Sequence, residues 1–131
     1  MTSMTVRREK MRISGWIFSG SQGTAYFGPA VTLTADHNIF NRGNNEDIQV
    51  KLKGKQYTSA QIEAGEIGPG NLCKDPRFVR PAWGSDGDYR LQQGSPAIDS
   101  GTATGAPSTD LDGKKRPVGS GYDIGPYEYG G

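Results

Sequence analysis

Apolar residues in this chain come in short runs that alternate with polar ones, and the alternation has the period of a strand. The cleanest case is Ile48-Gln49-Val50-Lys51-Leu52-Lys53, with positions 48, 50 and 52 on one face and 49, 51 and 53 on the other. Such a run reads as a half-buried strand. Val31-Thr32-Leu33-Thr34 repeats the pattern, and Thr24 to Phe27 is a shorter β-prone run. Ile13, Trp16, Ile17 and Phe18 form an apolar patch that ends in the turn signal Ser19-Gly20-Ser21-Gln22-Gly23. Phe78-Val79 and Tyr89-Arg90-Leu91 are two further β-prone pieces. A single short helix is predicted over 58–64. There Thr58 or Ser59 can accept the free N–H groups of its first turn, and Gly65 can end it. Trp16-Ile17-Phe18 and Asn38-Ile39-Phe40 are offset by 22 residues. A period near this value suits one coil of a β-solenoid.

From Gly68 onwards Gly, Pro, Asp and Ser dominate, and the tail carries Tyr122, Tyr127 and Tyr129. Those rings predict a tail that is extended and packed. Four pieces stand in order here: Asp75-Pro76-Arg77-Phe78-Val79; Gly87-Asp88-Tyr89-Arg90-Leu91 with Gly94-Ser95-Pro96-Ala97-Ile98-Asp99-Ser100-Gly101; Asp110-Leu111-Asp112-Gly113-Lys114-Lys115-Arg116-Pro117; and Gly121-Tyr122-Asp123-Ile124-Gly125-Pro126-Tyr127-Glu128-Tyr129. With Asp36-His37-Asn38-Ile39-Phe40 and Tyr57-Thr58-Ser59 ahead of them, they resemble the C-terminal region of right-handed parallel β-helix repeat proteins. The resemblance runs over roughly residues 31–129. That family is bacterial and often secreted, and it includes polysaccharide lyases and related carbohydrate-active proteins. The resemblance implies an all-β fold: a short right-handed parallel β-helix with one short helix and a loop-rich C-terminal cap from about residue 75. The Gly/Pro/Asp-rich chain would fold back over the solenoid end, whose strand edges must otherwise stay unpaired.

A length of 131 residues suits one domain. Hydrophobic residues make up 33%, with 20 glycines and a net charge of +1, which points to a loop-rich β protein. Near-neutral charge argues against a general nucleic-acid binder, and no apolar run is long enough to span a membrane. Arg7, Arg8, Lys10 and Arg12 gather basic residues into an arm over 1–12, read either as solvated or as binding phosphate or acidic groups, ahead of a single β-helix domain over 13–131. No signal-peptide pattern is present, so the sequence leaves the compartment open. The single cysteine, Cys73, rules out a disulfide within the monomer and reads as a packed thiol.

Candidate chemistry is sparse. Asp110-x-Asp112-Gly113 and Asp86-x-Asp88 read either as turn aspartates or as a Ca²⁺ site. An EF-hand is excluded, because Lys115 and Gly121 stand where its Gly and Glu belong. His37 is the only histidine and reads as a hydrogen-bonded turn residue. Arg77, Arg80 and Lys74 could serve a lyase by residue type alone. Trp83, in Pro81-Ala82-Trp83-Gly84, is the candidate platform for a sugar ring. Room for only two or three coils precedes the ending. The expected function is therefore a non-catalytic module acting through its surface, by carbohydrate binding or by self-association through an open N-terminal end. The alternative is a truncated piece of a lyase-like carbohydrate-active enzyme, with Ca²⁺ held by Asp110 and Asp112.

Overall fold

The computed structural model describes residues 3–7, 10–20, 25–27, 32–42, 48–52, 54–81 and 87–130. Among them the chain makes strands β1 (Ser3–Arg7), β2 (Lys10–Ser14), β3 (Ile17–Gly20), β4 (Ala25–Phe27), β5 (Thr32–Asp36), β6 (Ile39–Arg42), β7 (Ile48–Leu52) and β8 (Lys55–Thr58). Helix α1 (Ser59–Glu63) follows, and then β9 (Phe78–Arg80) and β10 (Asp88–Leu91).

Two consecutive passes of the chain lie side by side. β2 pairs in parallel with β5, Lys10 opposite Thr32; β3 with β6, Ile17 opposite Ile39; and β4 with β7, Ala25 opposite Val50. The offset of 22 between the Ile-Phe pairs is thus the register of β3 against β6, which brings Phe18 opposite Phe40. A third pass continues the backbone bonding without forming a strand. Ala35 N–H donates to Ile67 O at 2.9 Å, His37 N–H to Pro69 O at 3.0 Å and Phe40 N–H to Leu72 O at 2.8 Å. This pass approaches so closely at Gly68 that a Cβ there would overlap the Ala35 carbonyl.

The closed right-handed parallel β-helix expected from the sequence does not form. The described strands fall into four separate sheets of two or three strands, and they do not close into a solenoid. Three of the six strand pairings are antiparallel: β1 with β2, β7 with β8, and β9 with β10. The physical reason lies at the sheet edges. A turn at Gly54, with φ of 77°, sends the chain straight back along β7, so β8 takes the edge a further parallel strand would need. At the other side of the stack, β1 folds back along the edge of β2 away from β5. Arg7, Lys10 and Arg12 accordingly belong to paired strands.

Because neighbouring residues in a strand point to opposite faces, the β3–β6 pair divides two cores. Phe40 joins Ile13, Ala35, Val50, Ile62 and Ile67, with Trp16, Phe18, Leu52, Tyr57 and Cys73 packed against them. Ring stacking fixes that face: Phe18 and Phe40 lie 5.0 Å apart between centroids, Trp16 and Phe18 6.0 Å. Ile39 turns the other way to join Leu91, Ala97 and Ile124, with Ile17, Leu72, Phe78, Ile98 and Tyr129 around them. α1 contributes Ile62, which is fully buried, and it starts in a capping box. The Thr58 hydroxyl accepts from Gln61 N–H, and the Gln61 side chain accepts from Thr58 N–H at 2.9 Å. Beyond β10 the chain runs to residue 130 in turns and bends, with no further strand of its own.

Candidate functional site

Where the passes turn between strands, buried asparagines do the bonding. Asn38 accepts from Trp16 N–H at 2.8 Å and donates to Ile13 O at 3.1 Å. Asn71 does the same for the next pass, accepting from Asn38 N–H at 3.1 Å and donating to Ala35 O at 2.7 Å. Both side chains are buried, so each amide replaces water at a corner that strand pairing cannot reach. Beside them Asp36, also buried, accepts from Arg12 Nη2 at 2.8 Å and Ser14 Oγ at 3.1 Å, and lies 2.9 Å from His37 Nδ1. His37 holds a left-handed backbone, φ 53°, in that turn.

The last thirty residues are organised around buried charge. Arg116 and Glu128 form an ion pair at 2.6 Å with both side chains fully buried. Arg116 Nη2 also donates to Asp123 O at 2.8 Å, and Arg116 Nη1 is buried with no hydrogen-bond partner. Asp123 is fully buried and accepts from Asp99 N–H at 2.8 Å and Tyr129 N–H at 2.6 Å. Burial pushes its carboxyl up to about 6, and the nearby charges of Glu128 and Asp99 add to the rise against those two N–H groups. Asp110 moves the other way. Burial raises it, but the N–H groups of Glu128, Lys114 and Asp112 together outweigh burial and hold it below the usual carboxylate range.

The candidate calcium ligands are part of this scaffold. Asp110 and Asp112 share one turn but face different partners. Asp110 Oδ1 accepts from Asp112 N–H at 2.9 Å and Lys114 N–H at 2.8 Å, and its Oδ2 accepts from Glu128 N–H at 3.0 Å. Asp112 is gripped from outside by Arg90, Nε to Oδ2 at 2.8 Å and Nη2 to Oδ1 at 3.0 Å. That grip lowers the Asp112 pKa and raises that of Arg90. Among the described residues no group of three or more His, Cys, Asp or Glu side chains is arranged to hold a metal ion. Trp83 and Asp86 lie outside the described residues.

One open cleft, of about 350 Å³, is lined by Asn41, Asp75, Arg77, Phe78, Pro81 and Gln92. It sits where β6, the turn before β9 and the end of β10 meet. Asp75 Oδ1 accepts from Arg77 N–H at 2.8 Å, which folds the chain tightly enough to put Arg77 at φ 56°. Gln92 bonds to the start of β9 and to the residue before it. Its N–H donates to Arg77 O at 2.9 Å and its Nε2 to Phe78 O at 2.8 Å. Phe78 meets Tyr89 edge-on, with centroids 5.2 Å apart. Of the three basic residues singled out by type, Arg77 lines the cleft, while Lys74 and Arg80 are exposed outside its lining.

Sequence reasoning missed Asn38, Asn71, Gln92, Arg116 and Glu128. Arg116 follows Lys114-Lys115 and so looks like part of a surface basic run. The only signal for Asn38 was its place at the head of the Ile-Phe repeat. Comparison with protein-family models, with curated proteins and with solved structures found no match.

Proposed function

We propose that this chain is a non-catalytic binding module and that the cleft over β9 takes a carbohydrate. The observation that carries the reading is the lining itself. Asn41, Asp75, Arg77 and Gln92 bring an amide, a carboxylate, a guanidinium and a second amide around the Phe78 ring. Planar polar groups of this kind pair with vicinal hydroxyls, each of which both donates and accepts, while an aromatic ring offers a face or edge to sugar C–H groups. Hydrolysis of a glycosidic bond needs two carboxyl groups facing one another. The cleft lining contains one, Asp75. Of the buried acids elsewhere, Asp110 and Asp123 have both carboxylate oxygens committed to backbone N–H groups, Glu128 pairs with Arg116, and Asp36 bonds Arg12 and Ser14, which suits structural roles. Trp83, two positions after Pro81 in the chain, remains the candidate for stacking on a bound sugar.

The test is calorimetric or NMR titration with a panel of neutral and acidic oligosaccharides. Binding by at least one, weakened roughly tenfold or more by Arg77→Ala, is the expected result, since one charge-assisted hydrogen bond is worth about that much. Trp83→Ala should weaken the same ligand. Absence of binding at millimolar concentrations across the panel would remove the reading.

A further inference from the structure

The polar groups of the cleft are held in place by bonds that leave particular atoms open. Gln92 Nε2 donates to Phe78 O at 2.8 Å, so Oε1 is the end of that amide left for a ligand. Asp75 Oδ1 accepts from Arg77 N–H at 2.8 Å, which leaves Oδ2. Among the described residues neither Gln92 Oε1 nor Asp75 Oδ2 has a hydrogen-bond partner, and both side chains are exposed. The cleft therefore presents two oriented acceptors. Its charged donor is Arg77, whose guanidinium lies across Gly94. Nη1 reaches Gly94 O at 3.4 Å, at the limit of hydrogen bonding, and a Cβ on Gly94 would come within 2.7 Å of it. Asn41 adds an amide from β6. One carboxylate and one guanidinium line the cleft, so their formal charges cancel.

We propose that the cleft takes an uncharged sugar unit through vicinal hydroxyls and discriminates against a uronate, with Asp75 as the residue that sets the preference. This rests on the carbohydrate reading of the cleft. A hydroxyl both donates and accepts, so two neighbouring hydroxyls can donate to Gln92 Oε1 and Asp75 Oδ2 while accepting from Arg77 or Asn41. A carboxylate only accepts. Its attraction to Arg77 is opposed by Asp75, two residues away in the same turn, and it has no proton to give to either open oxygen. The half-buried Phe78 ring, fixed edge-on to Tyr89, offers sugar C–H groups an apolar surface and adds nothing for a charge of that sign.

The experiment titrates the full chain with matched pairs of oligosaccharides that differ only in a hydroxymethyl group against a carboxylate, at about pH 7, where both the uronate and Asp75 are ionised. Calorimetry gives the affinities, and the amide NMR signals of Arg77, Phe78 and Gln92 report whether the sugar sits in the cleft. The neutral member should bind roughly fivefold tighter than its uronate, the scale of one exposed charge and one unmet acceptor. Asp75→Asn keeps the turn, since an asparagine oxygen accepts the Arg77 N–H in the same way. It removes the charge and supplies a donor, so it should tighten the uronate by roughly fivefold and erase the preference. Should that variant fail to fold, the wild-type pairs decide alone. A uronate that binds as tightly as its neutral partner, or a preference that survives Asp75→Asn, overturns this inference and leaves the carbohydrate reading standing. Cleft amides that neither member of any pair shifts remove the carbohydrate reading, and this inference with it.

Discussion

Between residues 10 and 73 a peptide N–H that needs a partner finds it mainly in a neighbouring pass of backbone, whereas between 75 and 130 it repeatedly finds a carboxylate. The first region stacks two passes strand on strand, adds a third through residues 67–72, and closes its corners with the neutral amides of Asn38 and Asn71. Among the described residues the second has one short antiparallel strand pair. Its loops are tied by Asp75 to Arg77 N–H, Asp88 to Arg90 N–H, Asp99 to Gly121 N–H, and by the buried lattice of Asp110, Asp123 and Glu128. Both arrangements satisfy the backbone, which is obligatory once water is excluded. They differ in what they make of pH. An amide corner does not titrate; a carboxylate lattice does. The region with the least regular structure therefore ties more of its backbone to titratable groups, whereas in the first region Asp36 bonds the side chains of Arg12 and Ser14.

The sharpest way to break that contrast is to remove the lattice's only buried cation. Arg116→Met leaves Glu128 buried without its ion pair and should cost about 4 kcal/mol in chemical denaturation. Adding Glu128→Leu should recover most of the loss, because a buried ion pair and an apolar pair of similar volume are often close in free energy. If the double variant is as unstable as the single, specific hydrogen bonds matter more than charge. On the amide side, Asn38→Ala strips a corner of its bonds to Trp16, Ile13 and Asn71 and should cost about 3 kcal/mol. The two losses should respond differently to pH, and a parallel response would undo the comparison.

Acid sharpens it further. Asp110 contributes stability that is present above its ordinary pKa of 3.8 and lost as pH falls through its lowered folded value. Unfolding monitored by near-ultraviolet circular dichroism of the tail tyrosines should begin in that acidic range, with the stacked passes persisting longer by amide protection. Smaller effects follow. Thr58→Ala removes one half of the capping box on α1 and should cost about 1 kcal/mol. Arg90→Ala, at an exposed clasp between β10 and the Asp112 turn, should leave the denaturation midpoint unchanged, since ion pairs in water gain little.

Much of the local structure was legible along the chain. The alternation over 48–53 corresponds to β7, the cap signal at Thr58 to the start of α1, and the 22-residue offset to the register of β3 on β6. Each depends on contacts within a few residues or on a repeated pattern, and these are what periodicity and capping rules read. Little of the cleft was legible: Arg77 was singled out only by type, as a group that could serve a lyase, and Asn41 and Gln92 come to it from segments far apart in sequence. Asp110 and Asp112 were rightly seen as neighbours in a turn, yet nothing local indicates that one would face inward and the other outward to Arg90.

What the sequence determined by itself is the set of pieces: short strands of period two, one capped helix, and a stretch after Gly68 too rich in Gly and Pro to make long strands. What only the tertiary structure decided is which edge each piece takes. β8 turns back on β7 and β1 on β2, and so the solenoid that the repeat suggested does not close. Edge choice depends on which of several unpaired rows of N–H and C=O groups is nearest once the chain has collapsed. That is a competition between distant segments, and no window of local sequence contains it. The same holds for Arg116, whose burial is settled by Glu128 twelve residues later and by the tail that brings the two together.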